Sequence, residues 1–155
     1  HVLYELDAKN PQIIAYMDKA IALEDSLATS ELLAILHMAQ AFAASQERWD
    51  KQLSYASKWF EIADDNVDKK NQLFLTAVSH FYLEQHARSA TLLNQLVSIS
   101  ETQGFQPQEQ WLNLLIANHL ANEDSIEAVA IQEKIAILYP TEKNQKQLES
   151  MSQML

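Results

Sequence analysis

Five histidines, His1, His37, His80, His86 and His119, are the side chains with the widest chemical reach in this chain, since imidazole serves metals and protons alike. No two of them stand at i and i+4, and no H-E-x-x-H helix occurs. The spacing that aims two imidazoles at one zinc ion is therefore absent. His80 and His119 fall one column apart in neighbouring elements, and a core or wall position is the expected reading for both. The stretch DDNVDKK, Asp64 to Lys70, opens like a calcium loop. It puts Lys69 where such a loop needs glycine and Leu75 where it needs the distant acid, so a solvated turn is expected. The absence of cysteine removes disulfides and thiolate metal sites. With Gly104 the only glycine, there is no phosphate-cradling loop, dinucleotide fingerprint or nucleophile elbow. These residues predict a chain that is not an enzyme and carries no cofactor or metal.

Charge and composition narrow the partners. A net charge of −10 works against nucleic acid and anionic lipid, both of which call for clustered Lys and Arg. No run approaches the ~18 apolar residues of a membrane span, and no charged segment with an apolar stretch opens the chain as a leader. At 48% hydrophobic the chain can bury a core. Few glycines and prolines, with plentiful Ala, Leu, Gln, Glu and Lys, predict helices joined by short polar loops.

The elements recur. Tyr4, Phe42, Phe81 and His119 lie 38, 39 and 38 residues apart, and self-similarity at this period marks a helical repeat. Small or apolar residues follow at Ile13, Ala90 and Ala128, with Gln52 one place late. Further columns are Tyr16, Tyr55, Leu93 and Ile131, then Ala20, Trp59, Val97 and Ile135. Leu53, Ala56, Phe60 and Ala63 step by three and four, as do Ala128, Ile131, Ile135 and Leu138, so each set occupies one helix face. Polar breaks at 7–10, 45–48, 84–86 and 122–125 separate paired helices. Pro140 ends a helix for want of an amide donor. The pattern predicts helices near 1–8, 11–24, 29–45, 48–63, 69–84, 86–101, 107–121, 124–138 and 142–155, in one array over 1–155. The first lacks its front and the last has no partner, so the chain reads as a piece of a longer array. Its end segments are expected to expose Leu3, Leu6, Leu148, Met151 and Leu155 and to self-associate. Trp49, Trp59 and Trp111 sit at repeat spacing and are expected in the core. Glu123 and Asp124 suit the positive end of the helix they precede.

Paired helices with an aromatic late in the first and a small residue early in the second resemble the tetratricopeptide repeat. The unit Trp111 to Pro140 carries this best, with Leu112, Leu115, Ala128 and Pro140 in the family's slots; Phe74, Ala77, Phe81 and Ala90 fill those of the unit before. Ile116 and Val78 replace the usual glycine, His119 the tyrosine, and the period of about 38 exceeds the family's 34. The resemblance implies an all-α superhelix, a solenoid of antiparallel helix pairs. More narrowly, Trp111, Lys134 and Leu138 to Pro140 resemble the tetratricopeptide protein that accompanies some TonB–ExbB–ExbD systems of marine gammaproteobacteria. That likeness implies a periplasmic protein supporting iron-siderophore transport through contacts with the transducing complex.

In this family the first helices line a concave groove that takes peptides or a partner helix. The resemblance implies a binding wall of Leu33, Leu36 and Gln40, then Gln72, Leu75, Ser79 and Tyr82, then Gln110, Asn113, Ala117 and Leu120. The amides can bond a peptide backbone and the aliphatics can cover its side chains. The basic set with which some relatives grip a terminal carboxylate is missing. The alternative is a structural segment of a larger repeat protein, its groove filled by its own chain or a second copy.

Overall fold

A computed structural model describes residues 12–155; the expected helix over 1–8, the Tyr4 anchor, and Leu3 and Leu6 lie outside the described residues. Among the described residues the chain is all-helical, with eight α-helices and no strand. They are α1 Gln12–Ala22, α2 Thr29–Ser45, α3 Trp49–Ile62, α4 Lys70–Tyr82, α5 His86–Thr102, α6 Glu109–Ala121, α7 Ser125–Leu138 and α8 Glu142–Ser152. A 3-10 turn, Glu24–Ser26, follows α1. The spans read from the sequence agree to within one to three residues at each end. Contacts divide the chain into two compact units, one ending at Gln72 and one beginning at Leu73, the division falling within α4.

The first unit packs α1 on α2 and α2 on α3. Ile13, Ile14, Met17 and Ile21 repeat at helical spacing on α1 and join Leu36, Phe42, Tyr55 and Trp59 in one core. Polar clamps hold its rim. Asp18 on α1 accepts from Tyr55 Oη at 2.6 Å and Lys51 Nζ at 2.9 Å, both on α3. Burial, then the bond to Asp18, pushes the Tyr55 phenol well above its ordinary pKa. Inside, Gln52 donates to Gln40 at 3.3 Å, a fully buried amide pair.

In the second unit α6 packs on α5 and α7, and α7 on α8. Trp111, Leu112, Leu115, Ala128 and Ile135 are buried, as the repeat pattern predicts; Trp59 in the first unit is likewise buried and Trp49 half-buried. The loop after α5 is tied down by Tyr139 Oη donating to the Pro107 carbonyl at 2.6 Å and by Gln106 donating to the Leu138 carbonyl at 2.9 Å. Helix α8 lays Asn144, Leu148 and Met151 inward, four and three residues apart. The exposure expected of Met151 is therefore corrected: it is 3% exposed, and Leu148 is half-buried. That stripe uses up the helix's internal apolar residues. Lys143, Lys146, Gln147 and Glu149 face outward, and only Met154 and Leu155 beyond the helix are exposed and apolar.

The three hairpin turns share one backbone solution. Glu47, Glu84 and Glu123 each have φ between 56° and 60°. In each turn the glutamate amide donates back three residues and the next amide donates back five: Arg48 to Ala43, Gln85 to His80 and Asp124 to His119, all at 2.8 Å. This is the Schellman closure, which satisfies the last carbonyls of a helix and normally takes glycine at its left-handed residue. Gly104 does the same after α5, with φ 79°. A side chain in this conformation costs about 1–2 kcal/mol. Each glutamate also lies two residues before the next helix, whose positive end returns part of that. Glycine at all three positions together should raise stability by about 1–2 kcal/mol, after the unfolded-state entropy that glycine adds. Denaturant titration of the triple variant checks this; an unchanged or lowered midpoint contradicts it.

Counted from the three glutamates, the hairpins superpose in register. Eleven residues before stand Leu36, Leu73 and Leu112; five after, Gln52, Ser89 and Ala128; twelve after, Trp59, Leu96 and Ile135, all buried. The turns are 37 and 39 residues apart, where the aromatic anchors are 39 and 38 apart. This corrects the middle hairpin by one residue. Ser89 and Leu96 hold the register places expected of Ala90 and Val97; Ala90 is only half-buried, whereas Val97 is buried as well. The aromatic column also dissolves, since Phe42, Phe81 and His119 lie five, three and four residues before their turns, and only Phe42 is fully buried.

Candidate partner-binding site

Helix α6 presents the part of the expected wall that is open to a partner. Gln110 and Asn113 are exposed, Ala117 is half-buried and Leu120 exposed, spaced three, four and three along one face. The ten steps from Gln110 to Leu120 span roughly 15 Å at 1.5 Å per residue. Ala117, the smallest of the four, stands between an amide end and an aliphatic end. Gln110 donates to Gln108 Oε1 at 2.7 Å, which orients its amide along the helix start. On α4, Leu75 is half-buried, and Tyr82 closes the helix with 58% of its surface exposed. The Tyr82 ring stands edge-on to Phe81, centroids 5.4 Å apart.

The rest of the expected wall is core. Leu36, Gln40 and Ser79 have no exposed surface and Gln72 almost none, which corrects their assignment as partner-binding residues. Each lies on the face its helix turns toward its neighbours. Gln40 meets Gln52, and Gln72 donates to His37 Nδ1. A buried side chain already held in the core cannot contact a peptide without opening the fold. Leu33 is half-buried beside the first unit's core.

A chain of hydrogen bonds that the spacing did not reveal links α4, α5 and α6. His86 Nδ1 donates to Asn118 Oδ1 at 3.0 Å, Asn118 Nδ2 donates to Ser89 Oγ at 2.8 Å, and Ser89 Oγ donates to the Ala77 carbonyl at 2.7 Å. The directions are mutually consistent, with Asn118 and Ser89 fully buried. The only sequence signal was a polar residue three places after Leu115 on an apolar face. His80 and His119, expected in core or wall positions, are both half-buried, each beside a residue of its own turn. His80 Nδ1 lies 2.6 Å from Gln85 Oε1, and His119 Nδ1 lies 3.7 Å from Asp124 Oδ2.

The acidic stretches have local partners. Asp64 accepts from the Asn66 amide at 2.9 Å and Asp68 from the Lys70 amide at 3.0 Å, which makes DDNVDKK a turn whose carboxylates cap backbone. Asp124 accepts from the Glu127 amide at the start of α7. No group of three or more His, Cys, Asp or Glu is gathered to hold a metal ion among the described residues. None of the helices there is long and apolar enough to cross a membrane.

The residues that carry the narrower resemblance have structural work. Trp111 is buried, Lys134 pairs with Glu101 at 2.6 Å between α7 and α5, and Tyr139 anchors Pro107. Compared with models of known protein families, with characterised proteins and with solved structures, the chain matches none.

Proposed function

We propose that the chain is a non-catalytic protein-interaction module of the tetratricopeptide kind, a solenoid of helix hairpins that holds a partner along its first helices. The observation that supports this is the recurrence of one hairpin, with the same left-handed turn and the same buried positions counted from it, at three places in the chain. Stacked copies of a hairpin create a long surface from residues that no single copy needs for its own packing. On α6 that surface is Gln110, Asn113, Ala117 and Leu120, joined in the proposal by Leu75 and Tyr82 of α4. Amides beside aliphatics and one exposed tyrosine suit an extended peptide or a partner helix, with the ring as the anchor. The finer reading is an exported, periplasmic component serving TonB–ExbB–ExbD-type iron-siderophore transport. It rests on the resemblance through Trp111, Lys134 and Leu138 to Pro140.

Capture of the transport components by the tagged protein tests both levels. Tyr82→Ala combined with Asn113→Ala should weaken capture by about 1–2 kcal/mol or more, with the helical signal unchanged. Glu133→Ala on α7, an exposed position, should have no effect. Capture that survives the double variant but fails with Glu133→Ala moves the binding face to the second helices. Capture of other proteins through the same residues removes the transport reading and leaves the module. Capture only of a second copy supports the alternative of a structural segment.

A further inference from the structure

We propose that the start of α5, together with His80 of α4, is a second docking site, for an acidic peptide segment that carries a carboxylate beside an apolar side chain. Its lining shares no residue with the Gln110–Leu120 strip of α6.

Three observations meet there. Between Asn71 and Ser100 the only charged residues are Glu84 and Arg88, in a chain that is 21% charged. Solvated helix faces keep their charges, whereas the centres of interfaces lose them and retain aromatics and arginine. The exposed positions in this stretch include Tyr82, Leu83, Ala87, Arg88 and Thr91. Within it lies a shallow cleft of about 360 Å³ lined by His80, Ala87, Arg88, Thr91 and Leu92. Ala87, Thr91 and Leu92 form a largely carbon wall, because the Thr91 hydroxyl is turned back onto the Ala87 carbonyl at 2.9 Å. The bond from His80 to Gln85 fixes the imidazole as the opposite side. A space of this volume takes one or two apolar side chains and is too open to enclose a small molecule.

Arg88 supplies the polarity. It is exposed and makes no ion pair or hydrogen bond among the described residues, whereas Arg48, Lys51, Lys58, Lys134 and Lys146 each hold a carboxylate. In a chain of net charge −10, a guanidinium left open at the rim of an apolar cleft selects an anion. Its planar fork matches a carboxylate in two-point geometry. One cation cannot hold a nucleic acid against the net charge of this chain, which leaves a single acidic side chain carried by an apolar peptide.

The test is a titration of the ¹⁵N-labelled full chain with a blocked hexapeptide of alternating leucine and glutamate, beside versions with glutamine or lysine in place of glutamate. The glutamate peptide should shift the amides of Ala87, Arg88, Thr91 and Leu92 at concentrations up to about 1 mM, the range of a weak single contact. Arg88→Glu should weaken that peptide at least about tenfold and make the lysine peptide the better ligand, a reversal that a structural role for Arg88 would not produce. Asn113→Ala should leave the titration unchanged. Equal shifts from the glutamine peptide, no shift at about 1 mM, or shifts confined to Gln110–Leu120 each overturn the proposal. The last of these leaves the α6 reading standing.

Discussion

Asn118→Ala should destabilise the unit that begins at Leu73 by about 2–4 kcal/mol, a large share of the stability of a domain this size. Asn118 has no exposed surface, and its amide is the middle link between His86 and Ser89. Alanine removes both links and leaves a cavity. Ser89 keeps its own bond to the Ala77 carbonyl but loses the donor that satisfied its oxygen. His86 is half-buried and turns partly to water, so it loses less, although its ring also stands against Phe81 at 5.1 Å. Asn118→Leu separates volume from bonding: it refills the space and should recover at most about half the loss, because a buried acceptor stays unpaired. A cycle with Ser89→Ala should show a coupling of about 0.5–3 kcal/mol, since the two residues share one bond. Denaturant unfolding followed by far-ultraviolet circular dichroism reads the parent and the four variants. Full recovery by leucine would reduce Asn118 to a space-filler.

Much of the helical layout was legible because it depends on patterns that single residues announce. Apolar residues three and four apart placed α3 and α7, and Pro140 marked the end of α7, as the structure has them. The scarcity of glycine predicted helices with short loops, and that was right. It hid the nature of the turns, however. A Schellman closure is recognised in sequence by its glycine, and Glu47, Glu84 and Glu123 take its place here. Without that marker the sequence aligns its repeats on the aromatics, whose size makes them conspicuous but whose distance from the turn varies from three to five residues. Backbone hydrogen bonds at the turn, and not ring size, set the register of the helix that follows. The candidate wall carries a different lesson. Gln40, Gln72 and Ser79 enter it only through the family resemblance, and all three are buried. A polar side chain on an inward face is read correctly only when its partner is known, and the partners of Gln40 and Gln72 are Gln52 on α3 and His37 on α2. Gln110, Asn113 and Tyr82 were placed outside correctly, on helices α6 and α4.

Two neighbouring residues test that register directly. Ser89→Leu should cost about 3–5 kcal/mol: overpacking accounts for about 1–3, and the loss of the bonds to Ala77 and Asn118 for the remainder. Ser89 has no exposed surface, and its hydroxyl ties α5 to α4 through the Ala77 carbonyl at 2.7 Å. Ala90→Leu, one position on, should cost under about 1 kcal/mol, because its place is only half-buried. Ala128→Leu in α7, five residues after Glu123 as Ser89 is after Glu84, should resemble the first and not the second, at about 1–3 kcal/mol, since Ala128 is fully buried and makes no side-chain hydrogen bond to lose. Thermal and denaturant melts of the three variants decide between two alignments of the same repeat. If the hairpins were in register by their aromatics, Ala90 and Ala128 would be the equivalent pair, and Ala90→Leu would be as damaging as Ala128→Leu while Ser89→Leu was tolerated. Counting from the left-handed glutamate requires the opposite order.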